Sequence, residues 1–325
     1  MSEPAQVCEW HAPFLVDIRL TLSVHGRGRS DPTFRIDDAG AVWRTSLTPA
    51  GPGTIRVWQR RRKDPAPADP DPAPETASHG TRVLAHAWGP GACWLLDALP
   101  VALGLHDDPS GFDPGAHPVL REVASRHPGL RLGRSGRLLE ALVPAILEQK
   151  VVGNEAQRAW RTLLAKFGTP PPGPAPAGMR VFPEPRTWRR VPSWEWHRAG
   201  VEGVRAQTII TAAGVADSLE RLLTQTHAEA DRKLRTIPGI GPWTSAETRQ
   251  RAAGDPDAVS VGDYHLPKAV GFALAGRQAT DDAVMLELLA PYAGHRHRVT
   301  RLVELSGLGP ARRGPRMPIR DYRGY

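Results

Sequence analysis

Cysteine is nearly missing from this sequence: Cys8 and Cys93 are the only two in 325 residues. Two thiols build no disulfide framework, and their scarcity suits a reduced, cytoplasmic setting. Long apolar runs are missing too. No stretch approaches the roughly twenty residues that cross a bilayer, so no membrane partner is expected. The N-terminus lacks a charged, apolar, small-residue leader pattern. Twelve histidines occur, yet none has the spacing of a zinc site. His295-Arg296-His297 sits in a basic helix start without further ligands, so neither a metal nor a cofactor is expected. Acidic residues are outnumbered 34 to 42 by Lys and Arg, which leaves a net charge of +8 and an isoelectric point near 10.0. A chain of this sign is drawn to polyanions.

What is present supports a folded protein of two parts. Apolar residues make up 40% of the chain, enough for a core, while 33 prolines and 32 glycines imply long loops. The first part reads as strands. Phe14 to Val24 alternates apolar and polar residues through Val16, Ile18, Leu20 and Leu22, and further strands are expected at Thr33–Ile36, Ala41–Thr45, Thr54–Gln59 and Thr81–Trp88. Asp37-Asp38-Ala39-Gly40 fits a hairpin loop, and Gly91 to Leu103 a helix. Arg60-Arg61-Arg62-Lys63 leads into a Pro/Asp-rich loop, 64–78, which has too few apolar residues to bury.

From Pro118 the pattern turns helical. Leu138 to Phe167 is its longest stretch, with Pro144 inside, and a second Pro-rich loop follows at Thr169–Gly178. Trp188, Trp194 and Trp196 are expected to pack onto the helices. Further helices are expected at Ala206–Ala216, Ala228–Arg235, Trp243–Ala253, Asp281–Leu289 and Arg296–Leu305. The division expected is an N-terminal domain over 1–117, a helical domain over 118–308 and a basic, Arg-rich tail over 309–325.

Chemistry concentrates between Leu234 and Lys268. Ile237-Pro238-Gly239-Ile240-Gly241-Pro242-Trp243-Thr244 breaks one helix with two glycines and starts another at Pro242, where no N–H is needed. Such a turn delivers Gly239 and Gly241 amides and a helix N-terminus to one spot, which suits a phosphate. Ile237 and Ile240 would tuck it onto the domain. Twenty positions past Trp243 stands Asp263, within Gly262-Asp263-Tyr264-His265. An aspartate before a helical run also caps well, so both capping and chemistry are open to it.

The hairpin followed by this aspartate resembles the helix-hairpin-helix DNA glycosylases, and within them the 3-methyladenine DNA glycosylase II family. The resemblance runs from about Leu130 to Gly307 and includes Ala145-Ile146-Leu147-Glu148-Gln149-Lys150-Val151, Phe182-Pro183-Glu184-Pro185 and Val204-Arg205-Ala206-Gln207 in the family's order. It implies an α+β fold: an N-terminal antiparallel β-sheet domain with a helix, then an all-α helix-hairpin-helix glycosylase domain. It implies a monomer that binds duplex DNA containing damaged bases, acting near the nucleoid. Asp263 would be catalytic, stabilising the charge that develops on deoxyribose. Trp243, Glu247 and Gln149 would line the base pocket, and Gly239, Ile240, Gly241, Thr244 and Lys150 would meet DNA. Tyr264 would pack beside Asp263, and His295 and Arg296 either fall where a pocket or phosphate-facing segment begins in relatives or simply start a helix.

Departures from the family sharpen this. Bifunctional relatives carry a lysine two residues after the second hairpin glycine, where this chain has Trp243. Without that amine no Schiff base forms there, which implies a monofunctional enzyme. Relatives with an iron–sulfur cluster need four cysteines, and this chain has two. Glu247 stands where an aromatic is expected, and is either a pocket carboxylate or a solvated helix residue. Lys150 stands where an apolar wedge is expected. Two alternatives stay open: a non-catalytic damage-binding or architectural module, and a glycosylase for deaminated bases.

Overall fold

The computed structural model describes residues 4–59, 80–277 and 281–309. The Arg60-Lys63 run, the Pro/Asp-rich loop 64–78 and the Arg-rich tail from 310 lie outside the described residues. Five strands, β1 (Gln6–Ala12), β2 (Phe34–Ile36), β3 (Val42–Thr48), β4 (Gly51–Gln59) and β5 (Thr81–Trp88), form one antiparallel sheet in the order β1-β5-β4-β3-β2. The expected hairpin loop at 37–40 joins β2 to β3, with Ile36 opposite Val42. Helix α2 (Ala92–Ala102) covers one face, where Leu95 and Leu99 meet Val57, Val83 and Ala85. The α+β arrangement expected from the sequence is the one observed.

One strand expectation is corrected. Phe14–Val24 is not a strand; it holds α1 (Ile18–Leu22) and a 3-10 turn over Ser23–His25. Asp17 decides this locally, because its Oδ1 accepts the Leu20 amide at 2.9 Å and caps the turn. Ile18, Thr21 and Leu22 are buried at helical spacing, a pattern that overlaps with alternation over so short a run. The edge strand is instead β1, paired from Gln6↔Ala87 to Ala12↔Thr81.

The rest is helical: α3 (Pro118–Arg126), α4 (Leu138–Leu147), α5 (Gly153–Phe167), α6 (Pro185–Arg190), α7 (Ser193–Ala199), α8 (Gly203–Gly214), α9 (Ala216–Glu220), α10 (His227–Leu234), α11 (Pro242–Ala252), α12 (Leu266–Ala275), α13 (Asp282–Leu289) and α14 (Arg296–Ser306). The single stretch expected from Leu138 to Phe167 is two helices. The break falls at Lys150, whose φ of +54° is the one left-handed non-glycine among the described residues. Pro144 lies within α4, the helical run expected after Asp263 is α12, and α6, α7 and α9 have no counterpart among the expected helices. Trp188 and Trp196 pack inside, their rings 5.8 Å apart, whereas Trp194 is exposed and does not pack onto the helices.

These helices form two cores. One joins α4 through α11; the other joins Leu120 and Val123 of α3 to Val270, Met285, Leu289 and Val299. The Thr169–Gly178 segment covers the second face of the sheet, where Trp43 stacks on Trp88 at 5.5 Å above Met179. Where sheet and helices meet, charge is buried. Glu140 of α4 accepts from Ser46 Oγ at 2.9 Å and from the Leu47 amide at 2.6 Å. Its burial pushes the carboxyl above the ordinary range against the pull of Arg44 and Arg137. His25 lies at the same seam, and burial, then Arg44, Arg251 and Arg27, hold it well below the usual imidazole range.

A histidine depressed in the folded state binds fewer protons than in the unfolded chain once pH falls below about 6.5. Stability from His25 is therefore present at neutral pH and lost as pH drops, by about 1 kcal/mol per pH unit. Glu140 acts in the opposite sense, being relieved by protonation. The thermal midpoint should fall between pH 7.5 and 5.5, and His25→Asn should flatten that fall. An equal slope in both proteins would refute this account of the seam.

Candidate nucleic-acid interface and active-site cleft

The hairpin is held from three sides. Thr226 and Glu229 form a capping box at the start of α10, and Asp231 Oδ1 accepts from Ser245 Oγ of α11 at 2.7 Å. Arg249 joins Asp231 and Asp255, which sets the angle between the two helices. Ile237 and Ile240 are buried beneath the turn, as expected. Gly239 has φ +90°, and an added Cβ would stand 2.1 Å from Thr208 Oγ1. Gly241 faces open space with nothing within 4 Å of such an atom. Pro242 opens α11, and no side chain caps its first turn, so the amides of Trp243 and Thr244 remain free for an outside acceptor.

Gln149 lies against this hairpin rather than in a pocket. Its Nε2 donates to the Gly239 carbonyl and to Thr244 Oγ1, each at 2.8 Å. Thr244 is buried, and so is the Ile240 side chain, so both could meet DNA through their main chain alone. Lys150 is exposed on the adjacent turn, its backbone strained beside the hairpin. Arg205 Nη1 donates to the Leu147 carbonyl at 2.8 Å and anchors the end of α4 from which Gln149 and Lys150 project.

Asp263 joins two helices. Its Oδ1 accepts the amides of His265 at 2.7 Å and Leu266 at 2.8 Å, which caps the start of α12. Its Oδ2 accepts Trp243 Nε1–H at 3.1 Å, from the first turn of α11. Three hydrogen bonds therefore hold the carboxyl group in one orientation. Tyr264 does not pack beside it; the ring is exposed under the Lys268 ammonium, 3.6 Å from the centroid.

Asp263 and Trp243 stand at a cleft of about 400 Å³ between the two helical cores and the N-terminal part. Glu247 lines it, and is neither a free carboxylate nor a solvated one. Its side chain is 13% exposed, accepts from Ser260 Oγ at 2.5 Å and pairs with Arg251 at 2.7 Å. Arg251 also donates from Nε to the Val24 carbonyl at 2.9 Å, which ties the wall to the N-terminal part. Burial works against the Arg251 charge, but Glu247 and Glu148 more than offset it and raise its proton affinity. His297 completes the wall with Thr300 and Arg301, while His295 meets the Ser110 carbonyl and Arg296 pairs with Asp257. Neither of the latter two lines the cleft.

Gln250, Arg251, Ser260, His297 and the N-terminal Thr21 and Val24 were not foreseen as lining residues. Two of them carried a signal. Positions 243, 247, 250 and 251 follow i, i+4, i+7, i+8 and so share one face of α11. The others come from distant segments that only the fold brings together.

The two hairpin glycines make separable predictions. Gly239→Ala forces a strained φ and a clash with Thr208, and should cost about 1–3 kcal/mol of stability. Gly241→Ala should leave the denaturation midpoint near wild type yet weaken duplex binding, because the new methyl occupies the open approach. Unfolding curves and duplex titrations measure both; undiminished binding by Gly241→Ala would exclude a close backbone approach there.

No family model matches the chain. A stretch of 156 residues is 32% identical to a Mycobacterium tuberculosis protein described as a probable bifunctional transcriptional activator/DNA repair enzyme AlkA, covering 47% of this chain and 30% of that protein. The chain thus matches under a third of the length of that curated relative. The fold is similar to a 3-methyladenine DNA-glycosylase from Archaeoglobus fulgidus, with TM-score 0.72 and 15% identity over 92% of this chain and 98% of the other. It is also similar to an 8-oxoguanine glycosylase/lyase from Clostridium acetobutylicum, with TM-score 0.65 and 10% identity over 94% and 99%. With its antiparallel sheet, its hairpin between α10 and α11 and its aspartate at the start of α12, the chain shares the fold of these glycosylase structures and resembles the helix-hairpin-helix DNA glycosylases, the 3-methyladenine DNA glycosylase II family among them.

Proposed function

We propose that this protein is a monofunctional DNA glycosylase that extrudes 3-methyladenine-type bases from duplex DNA and hydrolyses their glycosidic bond in base excision repair. One observation carries the reading: Asp263, held by Trp243 Nε1–H and two amides, lines a cleft large enough for a base, beside a hairpin with free amides. The hairpin amides of α11 would take a backbone phosphate, and Lys150, exposed next to them, would sit where the extruded base leaves its gap. The contacts so described read backbone and shape rather than sequence.

In the cleft, the base would meet Trp243, whose electron-rich ring attracts a cationic alkylated purine. Bond cleavage places positive charge on the sugar. Asp263 would face that charge with an oxygen whose position is set before substrate arrives, so little reorganisation is needed. The same carboxylate would orient water at the anomeric carbon. No lysine lines the cleft among the described residues, in keeping with hydrolysis without strand cleavage. A second reading, removal of deaminated bases, is favoured by one feature: beside Trp243 the walls are polar, from Glu247 through Gln250 and Ser260 to His297 and Arg301.

The test is base release from methylated duplex by wild type and Asp263→Asn, with nicking followed in parallel. Free methylpurine should appear without nicks, and Asp263→Asn should lower the rate by about a hundredfold or more. Asparagine still accepts from the same amides, so duplex binding should persist in the variant. Normal duplex binding without release by wild type would favour a non-catalytic damage-binding module. Release from hypoxanthine- or uracil-containing duplex alone would move the assignment to deaminated bases.

A further inference from the structure

Most of the polar cleft wall is paired, and three buried side-chain atoms among the described lining residues are not: Thr21 Oγ1, Arg301 Nε and His297 Nδ1. Gln250 Nε2 donates to the Ala258 carbonyl at 2.9 Å and to Ser260 Oγ at 3.1 Å. Ser260 donates to Glu247, and Glu247 holds Arg251. His297 does not join this network. Its main chain is pinned, the amide donating to the Pro256 carbonyl at 2.9 Å and the carbonyl accepting from Thr300 Oγ1 at 2.8 Å. Its imidazole, however, has no hydrogen-bond partner among the described residues. Nδ1 is sealed from solvent and unsatisfied, whereas Nε2 is not sealed and belongs to a ring that lines the cleft. The residue as a whole is 7% exposed. Such a group costs stability unless something else pairs with it.

The protonation state follows from the surroundings. Burial, then Arg301, Arg251 and Arg298, hold His297 far below the usual imidazole range, so the ring is neutral. A neutral imidazole carries one N–H and one lone pair. An orphaned buried N–H is rarer than an under-used acceptor. The lone pair therefore belongs on sealed Nδ1 and the proton on Nε2, where the cleft is open to it.

We propose that His297 is a specificity-determining residue whose Nε2–H donates to the edge of the extruded base. The cleft would then select purines that present an acceptor there, a ring nitrogen lone pair or an oxo oxygen, and would discriminate against bases of the same size without one. This rests on the reading of the cleft as the base pocket. It adds recognition of a base edge to the stacking assigned to Trp243.

Binding tests this without turnover. Three duplexes of one sequence carry 3-deaza-3-methyladenine, whose glycosidic bond resists hydrolysis and which keeps acceptor nitrogens; 4,7-dimethylindole joined through its ring nitrogen, an isostere without acceptors; or a tetrahydrofuran abasic analogue. Wild type should bind the first more tightly than the second by on the order of tenfold. His297→Phe should abolish that preference while binding the abasic duplex like wild type. His297→Gln, which places an amide N–H near the Nε2 position, should keep most of it. An unchanged preference in His297→Phe, or equal loss in both variants, would overturn the proposal. So would a wild type that does not separate the first two duplexes, even if it releases methylpurines. Loss of abasic-duplex binding in both variants would make His297 structural. Failure of wild type to prefer any of the three duplexes over undamaged DNA would instead refute the base-pocket reading itself.

Discussion

The hydrogen bond from Trp243 Nε1 to Asp263 Oδ2 joins the element that would grip DNA to the element that would act on it. Trp243 belongs to the first turn of α11, directly after the hairpin glycines. Asp263 belongs to the start of α12, in the other helical core. The bond fixes the separation of hairpin and carboxylate. The two amides on Oδ1 then fix the carboxylate's rotation, so capping and orientation are served by the same side chain.

Around that bond the molecule buries charge and compensates it locally. Glu247 with Arg251 and Ser260, Glu148 with Arg27, and Glu140 with Ser46 and the Leu47 amide each cross from one segment to another. Removing one partner of a buried pair costs more than the pair contributes, because the other charge is left stranded. Arg251 has the widest reach, meeting Glu247 along its own helix and the Val24 carbonyl of the N-terminal part. The cleft wall and the seam between sheet and helices are in this way one structure.

Fold similarity by itself does not choose the lesion, since proteins described for 3-methyladenine and for 8-oxoguanine share this architecture with the chain. The discriminating chemistry lies in side chains. On the proposed function, Trp243 in place of a lysine means hydrolysis without a Schiff base, and the polar wall around it would suit a base read by hydrogen bonds as well as by stacking.

The sequence by itself determined what depends on local chain chemistry. Gly239, Gly241 and Pro242 specify a turn entering a helix whatever surrounds them, and β2 to β5, α2, α10 and α11 are legible from alternation, breakers and helical spacing. Asp263 was legible as a cap because an aspartate ahead of a helical run is a property of the local chain, and the structure bears out that cap. Local pattern misled at Phe14–Val24, where five helical residues and a capping Asp17 mimic alternation, and it ran through Lys150, where a lysine occupies a backbone conformation more typical of glycine. Only the tertiary structure decided that Gln149 fastens the hairpin, that Glu247 is compensated, and that His297, Ser260 and Val24 meet at one cleft. Those outcomes depend on which distant segments share a surface and on which polar atoms find partners there. Neither is encoded at the scale of a helical turn.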